Sequence, residues 1–426
     1  MKSISRRSFL STTSTWGLRS MLGAGGIFPT VRAVAQPQSP RTVRIAHLSQ
    51  RAGTAVEMAN YAMMGAQLGA EEANTTAHMF GTSVELITAE AMEPAQLLPT
   101  ARKLTAQPGL VAMIGALDEA MTAVLSEFTQ QEGVVLLNAT ARGGALRGEQ
   151  CRRSTFHTVA DVAMHVDAIG QWLLQNNRKR WQFVVAEDAL GQEVYRRASQ
   201  LLQAQGGIEL GREIFRLGQS DYQPMWERLG QQDVEVIFVA FLGEDLRQFL
   251  AQSPVSGVTA LVAGAPLDMI AMWSTPPAHV KGVWATSWYH QFERYSAREL
   301  NRRFLRRFGK PAEAYAWANW AAVKLVVEGV LRTGSTDPAA LVSYLEGAPA
   351  FDGHKGKSLT FRDWNHQLRQ PMYIVRARDV PPENPWDVFE IVSEMPPPTA
   401  RGKSVADMLD TLGELKAETK CQLQAL

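Results

Sequence analysis

Residues 181–207 read WQFVVAEDALGQEVYRRASQLLQAQGG, and this stretch decides the fold. Residues 183–186 form a short, wholly apolar run, which is typical of a strand that is covered on both faces. Apolar residues then recur at helical spacing through residues 192–205. Gly206 and Gly207 follow, and glycine readily takes the left-handed conformation that ends a helix. The stretch therefore predicts a strand, a turn and a helix in succession.

The same succession repeats twice before residue 252. Further strands are expected at 208–215 and 234–241, and further helices from Ser220 to about Gly230 and from Gly243 to near Gln252. Alternating strands and helices of this size predict a parallel sheet with right-handed crossovers. Ligands of such sheets bind beyond the carboxyl ends of the strands. The strand ends in this stretch carry four acidic residues, Glu187, Asp188, Glu244 and Asp245.

The first half of the chain has the same architecture. Strands are predicted at residues 43–47, 83–87, 111–114 and 134–137, with helices between them at 57–74, 96–107 and 120–132. Two open parallel sheets in 426 residues predict an α/β protein with two doubly wound, parallel-sheet lobes.

The last third of the chain contains further elements. Strands are expected at 259–262 and 282–287, helices at 267–273, 296–307 and 312–332, and another helix from Asp337. Residues 351–362 are expected to form a turn and a strand that pairs with a strand at 372–377. Residues 380–401 are rich in proline, and residues 405–416 predict a short amphipathic helix.

Composition and motifs exclude several classes of function. The net charge of +1 gives no argument for a nucleic acid or an anionic membrane as partner. The chain has no complete P-loop, GxSxG, HExxH or GxGxxG motif. Its eight histidines are scattered, and its two cysteines form no CxxC pair. The sequence therefore gives no case for an enzyme, a metal site or a bound cofactor.

The N-terminus resembles a twin-arginine export signal. Arg6 and Arg7 are adjacent, a weakly hydrophobic stretch follows at residues 21–28, and small residues precede a potential cleavage site at Ala35. The pattern predicts a signal peptide over residues 1–35 and export to the periplasm, while a disordered basic N-terminus is the alternative. No later run of about 18 apolar residues occurs, so no other segment is expected to span a membrane.

Six short segments carry a family resemblance through their order and spacing. They are GAQLGAEEAN at 65–74, VAMIG at 111–115, DALG at 188–191, SDY at 220–222, GKPAEAY at 309–315 and FDGHKG at 351–356. Together they resemble the leucine/isoleucine/valine-binding family of type I periplasmic binding proteins, over most of residues 42–378. In addition, WNHQLRQP at 364–371 resembles a subgroup associated with PQQ-dependent alcohol oxidation systems.

The resemblance implies two lobes that are joined by three crossovers and close on a ligand like a hinged clamp. It places the crossovers near His157-Thr158, near Ser287-Trp288 and near Gly353. The first lobe would then comprise residues 41–157 and 288–352, and the second residues 158–287 and 353–380. Residues 381–426 would form a Pro-rich tail with a short helix.

The resemblance also points to ligand-binding residues in the first lobe. In amino-acid binders of the family, a serine after the glycine turn of the third strand holds the ligand carboxylate. This chain has Asp118 and Glu119 at that turn, where acids would repel a carboxylate. Asn138 and Thr140 match the family's second contact, after the fourth strand. Helix capping is the alternative for Asp118 and Glu119, and an ordinary turn is the alternative for Thr140.

In the second lobe the resemblance points to Asp188 and Glu244, and it places Trp288 at the second crossover. Glu244 would pair with an ammonium or accept from hydroxyls, or would simply be a first-turn acid of its helix. Trp288 would line the cleft or belong to the hinge core. If the acids face the cleft, they favour a cationic, polyhydroxylated or metal-bearing ligand over a simple carboxylate.

Cys151 and Cys421 are the two cysteines of the chain. In an oxidising periplasm a lone pair of cysteines would oxidise, so we expect a disulfide that fixes the tail to the first lobe. Two free thiols are the alternative.

The resemblance implies a monomeric periplasmic solute-binding protein. It would capture a small polar molecule, either amino acid-like or an alcohol-pathway compound, and deliver it to the inner-membrane permease of an ABC importer. A ligand-sensing module and an accessory protein of a quinoprotein dehydrogenase system are the alternatives.

Overall fold

The computed structural model describes residues 41–50, 55–91, 93–229, 233–253, 258–379, 383–397 and 402–423. The export signal predicted from Arg6 and Arg7, and its cleavage near Ala35, lie outside the described residues. None of the helices among the described residues is long and apolar enough to span a membrane.

The helices and strands follow one another closely along the chain. The first are β1 (Arg41–Gln50), α1 (Ala55–His78), β2 (Thr82–Ala91), α2 (Pro94–Thr105), β3 (Leu110–Ala116), α3 (Glu119–Glu132), β4 (Val135–Asn138) and β5 (Thr155–His157). The next are α4 (Val162–Gln175), β6 (Arg180–Ala186), α5 (Ala189–Ala204), β7 (Ile208–Phe215), α6 (Gln223–Leu229), β8 (Val236–Ala240), α7 (Gly243–Ala251), β9 (Leu261–Gly264), α8 (Met269–Trp273) and β10 (Val283–Thr286). The last are α9 (Ala297–Phe308), α10 (Ala314–Thr333), α11 (Pro338–Glu346), β11 (Met372–Ala377), β12 (Phe389–Met395) and α12 (Val405–Leu409).

The first sheet has the strand order β2-β1-β3-β4-β5, and every neighbouring pair is parallel. One face packs on α1, α10 and α11, and the other packs on α2 and α3. Helices α1 and α10 approach closely at Gly65, where a Cβ atom would lie 2.0 Å from the carbonyl oxygen of Ala316. Only glycine permits this approach, so Gly65 fixes how the two helices pack.

The second sheet has the order β12-β11-β10-β9-β8-β6-β7. Its strands from β6 to β10 are parallel, whereas β11 and β12 are antiparallel to their neighbours. Separate core clusters cover its two faces, one with α4 and α5 and the other with α6, α7 and α8. The predicted fold class, α/β with two doubly wound lobes, is therefore confirmed.

Three sequence predictions near the C-terminus were wrong. Strand β11 does not pair with residues 351–362, since it lies between β10 and β12. Residues 389–395 form strand β12, within the segment expected to be a Pro-rich tail. Prolines flank this segment and hid its short strand pattern. The tail helix is also shorter than expected, since α12 ends at Leu409.

The third crossover comes later in the chain than Gly353. Residues Phe351, Leu359, Phe361 and Leu368 pack in the core cluster of the first sheet and its helices. Gln367 forms a parallel bridge with His157 at the end of β5. The chain enters the second sheet only at Met372, where β11 begins. By these contacts, the crossover lies between residues 369 and 371.

One buried lysine connects the three crossovers. Lys355 is 0% exposed, and its Nζ donates to the carbonyl oxygen of Ser287 at 2.7 Å and to Oε1 of Gln370 at 2.7 Å. Nε2 of Gln370 in turn donates to the carbonyl oxygen of Thr158 at 3.0 Å. Burial lowers the pKa of Lys355 well below its usual value. Hydrogen bonds therefore tie the three passages between the lobes into one cluster.

Residues 402–423, which we call the C-terminal strap, lie against both lobes. Cys421 near its end forms a disulfide with Cys151, in the loop between β4 and β5. The strap thus begins after a strand of the second sheet and ends at the first lobe.

Candidate functional site

The two lobes contact each other through elements at the carboxyl ends of their strands. Gly144, in the loop after β4, donates its N–H to Oε1 of Glu193 on α5 at 3.0 Å. The rings of Tyr61 on α1 and Trp273 on α8 lie 5.9 Å apart. Carboxyl ends of parallel strands are the usual ligand-binding edge of such sheets. This cleft between the lobes is therefore the candidate site.

Asp118 caps α3. Its Oδ1 accepts from the N–H of Met121 at 2.8 Å, and its Oδ2 accepts from Nε2 of Gln50 at 3.0 Å. The capping alternative accounts for these contacts, because a carboxylate at this position satisfies free amides of the first turn. A ligand-binding role for Asp118 stays a prediction.

Glu119 has a different set of partners. Its Oε1 accepts from the backbone N–H groups of Arg142 at 2.6 Å and Gly143 at 2.7 Å. A Cβ atom on Gly143 would lie 2.9 Å from the second carboxylate oxygen of Glu119. The side chain of Glu119 thus fixes the loop after β4, because its carboxylate accepts from two backbone N–H groups that would otherwise be free to bind an anion.

Asn138 and Thr140 are both buried and hydrogen-bonded within the first lobe. Oδ1 of Asn138 accepts from the N–H groups of Thr140 and Ala141 at 3.2 and 3.0 Å. Oγ1 of Thr140 accepts from the N–H of Leu117 at 3.0 Å and lies 2.9 Å from its carbonyl oxygen. These bonds hold the loop after β3 against the loop after β4. The two residues shape the floor of the cleft, and direct ligand contact stays a prediction for both.

The second-lobe candidates are also engaged locally. Asp188 caps α5, with Oδ1 accepting from the N–H of Gly191 at 2.6 Å. The carboxylate of Glu244 is exposed and binds Arg247 at 2.6 Å and Gln248 at 2.7 Å, both on its own helix α7. The first-turn alternative accounts for these contacts of Glu244.

Trp288 belongs to the core of the first lobe. It is fully buried, its Nε1 donates to Oδ1 of Asn301 at 2.9 Å, and its ring stacks on Trp317 with centroids 5.9 Å apart. The hinge-core alternative accounts for this placement. The sequence-predicted residues are therefore bonded or packed within their own lobes, and the structure does not bring them together at one point.

The sequence reasoning missed Arg142, which is the unusual residue of the cleft. It is 5% exposed, and its Nη1 reaches the carbonyl oxygen of Leu267 in the second lobe at 3.5 Å. Its guanidinium lies 4.3 Å from the ring centroid of Tyr315 on α10. Its buried Nε has no hydrogen-bond partner. A buried guanidinium with an unpaired N–H is costly unless a ligand supplies an acceptor.

Acidic side chains surround this arginine. Glu313 caps α10 with bonds of 2.8 Å to the N–H groups of Tyr315 and Ala316, and burial raises its pKa to about 7. Arg142 opposes that rise. Burial also raises the pKa of Glu193 to about 7, and the nearby Asp161 and Glu119 add to the rise. The cleft thus places the buried guanidinium of Arg142 near the carboxyl groups of Glu193 and Glu313, to which a cationic group of a ligand can bind.

A small apolar hollow lies beside these charges, at the carboxyl ends of β6, β8 and β9. Its volume is about 50 Å³, and its lining includes Leu190, Val194, Leu242 and Pro266. Pro266 directly precedes Leu267, whose carbonyl oxygen meets Arg142. The cleft therefore offers space for an apolar group close to its charged centre.

Two sequence signals pointed toward the missed residues. Arg142 comes two residues after Thr140, in the same loop, and Glu313 and Tyr315 lie in the GKPAEAY segment that resembled the family. Nothing in their spacing showed which side chains would be buried without partners. Among the described residues, no group of three or more His, Cys, Asp or Glu side chains could hold a metal ion.

Comparison with known proteins identifies relatives along most of the chain. A family model described as periplasmic binding protein matches residues 42–381. The chain is similar to the Leu/Ile/Val-binding protein homolog 3 of Brucella melitensis biotype 1, with 23% identity over 282 residues, which cover 66% of this chain and 76% of that protein.

Two solved structures illustrate the likeness in fold. One is a branched chain amino acid ABC transporter periplasmic ligand-binding protein from Burkholderia xenovorans LB400, with a TM-score of 0.79, 18% identity, and coverage of 89% of this chain and 99% of that chain. The other is a solute binding protein of an ABC transporter from Rhodopseudomonas palustris BisB5 in complex with 3,4-dihydroxy benzoic acid, with a TM-score of 0.69, 16% identity, and coverage of 83% and 97%.

Proposed function

This chain belongs to the periplasmic binding protein family, and from that premise we propose that it captures a small polar molecule between its two lobes and delivers it to the permease of an ABC importer. In this proposal the ligand contacts both lobes and thereby shifts the population toward the closed state. The protein acts as a monomer and not as an enzyme. It reaches the periplasm through the twin-arginine pathway, with cleavage near Ala35.

Arg142 carries the proposal. It lies where the lobes meet, it is almost fully buried, and its Nε has no partner within the protein. A ligand oxygen would satisfy that N–H and would gain a charge-assisted hydrogen bond. An unpaired buried donor costs free energy, and that of Arg142 differs from the unpaired Nη1 of Arg362 in lying at the cleft between the lobes.

The surroundings of Arg142 favour a ligand with two kinds of polar group. An acceptor, such as a carboxylate, suits Arg142, and a donor or an ammonium suits Glu193 and Glu313. The adjacent hollow suits a modest apolar group. An amino acid-like molecule has all three features, and the name of the Brucella relative refers to leucine, isoleucine and valine. An acidic compound of an alcohol-oxidation pathway has the first feature and the third.

A thermal-shift screen followed by calorimetric titration tests the proposal. The panel contains amino acids, amides, alcohols and their acids, polyamines and quinone cofactors. A ligand at 100 times its Kd stabilises by about 2.7 kcal/mol, which is a rise of at least about 2 °C in Tm for a chain of this size. We expect a hit among the amino acids or acids, and we expect Arg142→Met to abolish that hit. A panel without any hit would count against solute capture.

The alternative is a ligand-sensing or accessory protein of a quinoprotein dehydrogenase system. Its sequence support is the stretch at residues 364–371. In the structure this stretch leads into the third crossover and contacts the C-terminal strap, as in the 2.8 Å bond from Asn365 to Glu414. These contacts give the stretch a structural role, so it does not by itself favour the alternative. Co-purification of the native protein with a dehydrogenase, rather than with a permease, would support the accessory role.

A further inference from the structure

The C-terminal strap joins the hydrophobic cores of the two lobes. It follows β12, which pairs with β11 at the edge of the second sheet. Leu409 packs in the core cluster of the first lobe, and Leu412 packs in a core cluster of the second, both at 0% exposure. Two apolar anchors three residues apart thus belong to bodies that move relative to each other in any hinged clamp.

On the second lobe the strap is held by an ionic cluster around the buried Asp167. The N–H of Gly413 donates to Oδ2 of Asp167 on α4 at 2.7 Å, and its carbonyl oxygen accepts from Arg197 on α5 at 3.1 Å. Arg197 also binds Asp167 at 2.7 Å and Glu418 at 3.1 Å. Gly413 has a φ of +95°, and a Cβ there would lie 2.9 Å from Nη1 of Arg362, so glycine is required.

The middle of the strap lies across the segment that leads to the third crossover. Asp410 accepts from Nε of Arg362 at 2.9 Å and from Nε of Arg369 at 2.9 Å. The side chain of Asn365 donates to Glu414 at 2.8 Å. Two arginines that share one carboxylate make a stronger restraint than an isolated surface pair, because Arg362 is fully buried.

The end of the strap is attached to the first lobe. Lys420 pairs with Glu149 at 2.8 Å, and Cys421 is bonded to Cys151. The ion pair is exposed and contributes little, whereas the disulfide cannot detach without reduction. Cys151 lies in the same β4–β5 loop as Arg142 and Gly144, the residues that meet the second lobe.

We propose that the strap restrains the opening of the cleft and that the Cys151–Cys421 disulfide is the fixed end of this restraint. Opening the cleft moves α4 and α5, to which the strap is bound, relative to Cys151. The non-covalent contacts of the strap can separate during that motion, but the covalent end stays in place. The restraint acts on the hinge and does not depend on which ligand the cleft binds.

Distance measurements between the lobes test the restraint. Spin labels attached through thioether bonds, which reduction does not cleave, at Ala120→Cys and Leu217→Cys, both at exposed positions, report on the separation of the two lobes. The distance between the two labels is measured without ligand, first in protein that keeps Cys151 and Cys421 and then in the Cys151→Ser/Cys421→Ser variant. We expect the variant to show a longer mean distance and a broader distribution. Small-angle scattering of the same proteins without labels should show a larger radius of gyration for the variant.

Two controls separate the restraint from general destabilisation. Lys420→Gln removes only the exposed ion pair and should leave the distance distribution unchanged, because the disulfide remains. Mild reduction of folded wild-type protein should reproduce the variant's distribution, with near-UV circular dichroism as a check that both lobes remain folded. A distribution identical to that of the oxidised wild type, in folded variant protein and in folded reduced protein, would overturn the proposal.

Discussion

Arg142 and Arg147 lie five residues apart in one loop and are almost equally buried, at 5% and 1% exposure. Arg147 donates through Nε to Oε1 of Gln367 at 2.5 Å, through Nη1 to Gly143 at 2.9 Å, and through Nη2 to Val159 at 3.3 Å. Arg142 has one long bond of 3.5 Å, the ring of Tyr315 and an unpaired Nε. Two arginines of similar burial therefore differ in their hydrogen bonds. Arg147, at the hinge, has acceptors for its donor nitrogens, whereas Arg142, at the cleft, has an unpaired Nε.

The difference separates a structural charge from a functional one. Burying a guanidinium is unfavourable unless its N–H groups find acceptors. At Arg147 the fold supplies carbonyl oxygens from the crossover region and a carboxylate, Asp161, at 3.7 Å. At Arg142 the fold leaves Nε without an acceptor at the point where the lobes meet, and in our proposal a ligand supplies that acceptor.

The largest expected effect follows from replacing Arg147. Arg147→Met leaves Asp161 buried without its partner and several carbonyl oxygens without donors, so we expect about 3–5 kcal/mol of destabilisation. Urea unfolding followed by fluorescence measures the loss. The matched control is Arg216→Met, whose side chain is 89% exposed and which should change stability by less than about 0.5 kcal/mol. Equal stability of the two variants would contradict the structural role of Arg147.

Replacing Arg142 should show the opposite pattern. Arg142→Met removes a bond to the ligand but no strong bond within the protein, so we expect the Kd of an identified ligand to rise by about 10–100-fold with little change in Tm. Isothermal titration calorimetry measures the Kd. Arg142→Lys keeps the charge but lacks the Nε donor, and it should recover only part of the affinity. An unchanged Kd for Arg142→Met would remove Arg142 from the binding site.

A smaller effect is expected at the acidic partner across the cleft. Burial raises the pKa of Glu193 to about 7 from 4.5, so the folded protein binds its proton more tightly than the unfolded chain does. Its stabilising contribution is therefore fully present below pH 4.5 and is lost as the pH rises through about 7. Glu193→Gln should flatten the dependence of Tm on pH between 4.5 and 7, with an effect on the order of 1–2 kcal/mol after solvent screening. A variant as pH-dependent as the wild type would assign that titration to other groups, among them Glu313.

The smallest effect is expected at Glu244. Its carboxylate is exposed and binds residues of its own helix, so Glu244→Gln should leave the ligand affinity within experimental error. Calorimetric titration beside the Arg142 variants provides the comparison. A clear loss of affinity would show that Glu244 turns toward the cleft when a ligand is bound.

The fold could be predicted because its signal is local and repeated. Two of the three strands within residues 181–252 have long apolar runs, and each following helix begins near a turn or capping residue. Strand β12 was missed because prolines flank a segment whose strand identity depends on pairing with β11. The third crossover was placed too early because residues 351–368 carry no signal that distinguishes packing on one lobe from packing on the other.

The candidate site was proposed from the sequence, but Arg142, which carries the proposed function, could not be identified in this way. The loop after β4 was singled out through Asn138 and Thr140, and Arg142 lies in that loop. An arginine in a loop is usually exposed, and only the packing of α10 and of the loop after β9 shows that this one is buried. Whether each donor of a side chain has an acceptor depends on which groups lie near it in the folded structure, so sequence spacing cannot reveal it.

The cluster around Lys355 has a mechanical consequence. Because Lys355, Gln370 and backbone carbonyls of Ser287 and Thr158 are bonded together, the three crossovers cannot bend independently. A rotation of the lobes must then have its axis near this cluster, where displacement is least. In the proposed closing motion, atoms close to Nζ of Lys355 would serve as the pivot, so a small rotation there would produce a large separation at the rim of the cleft.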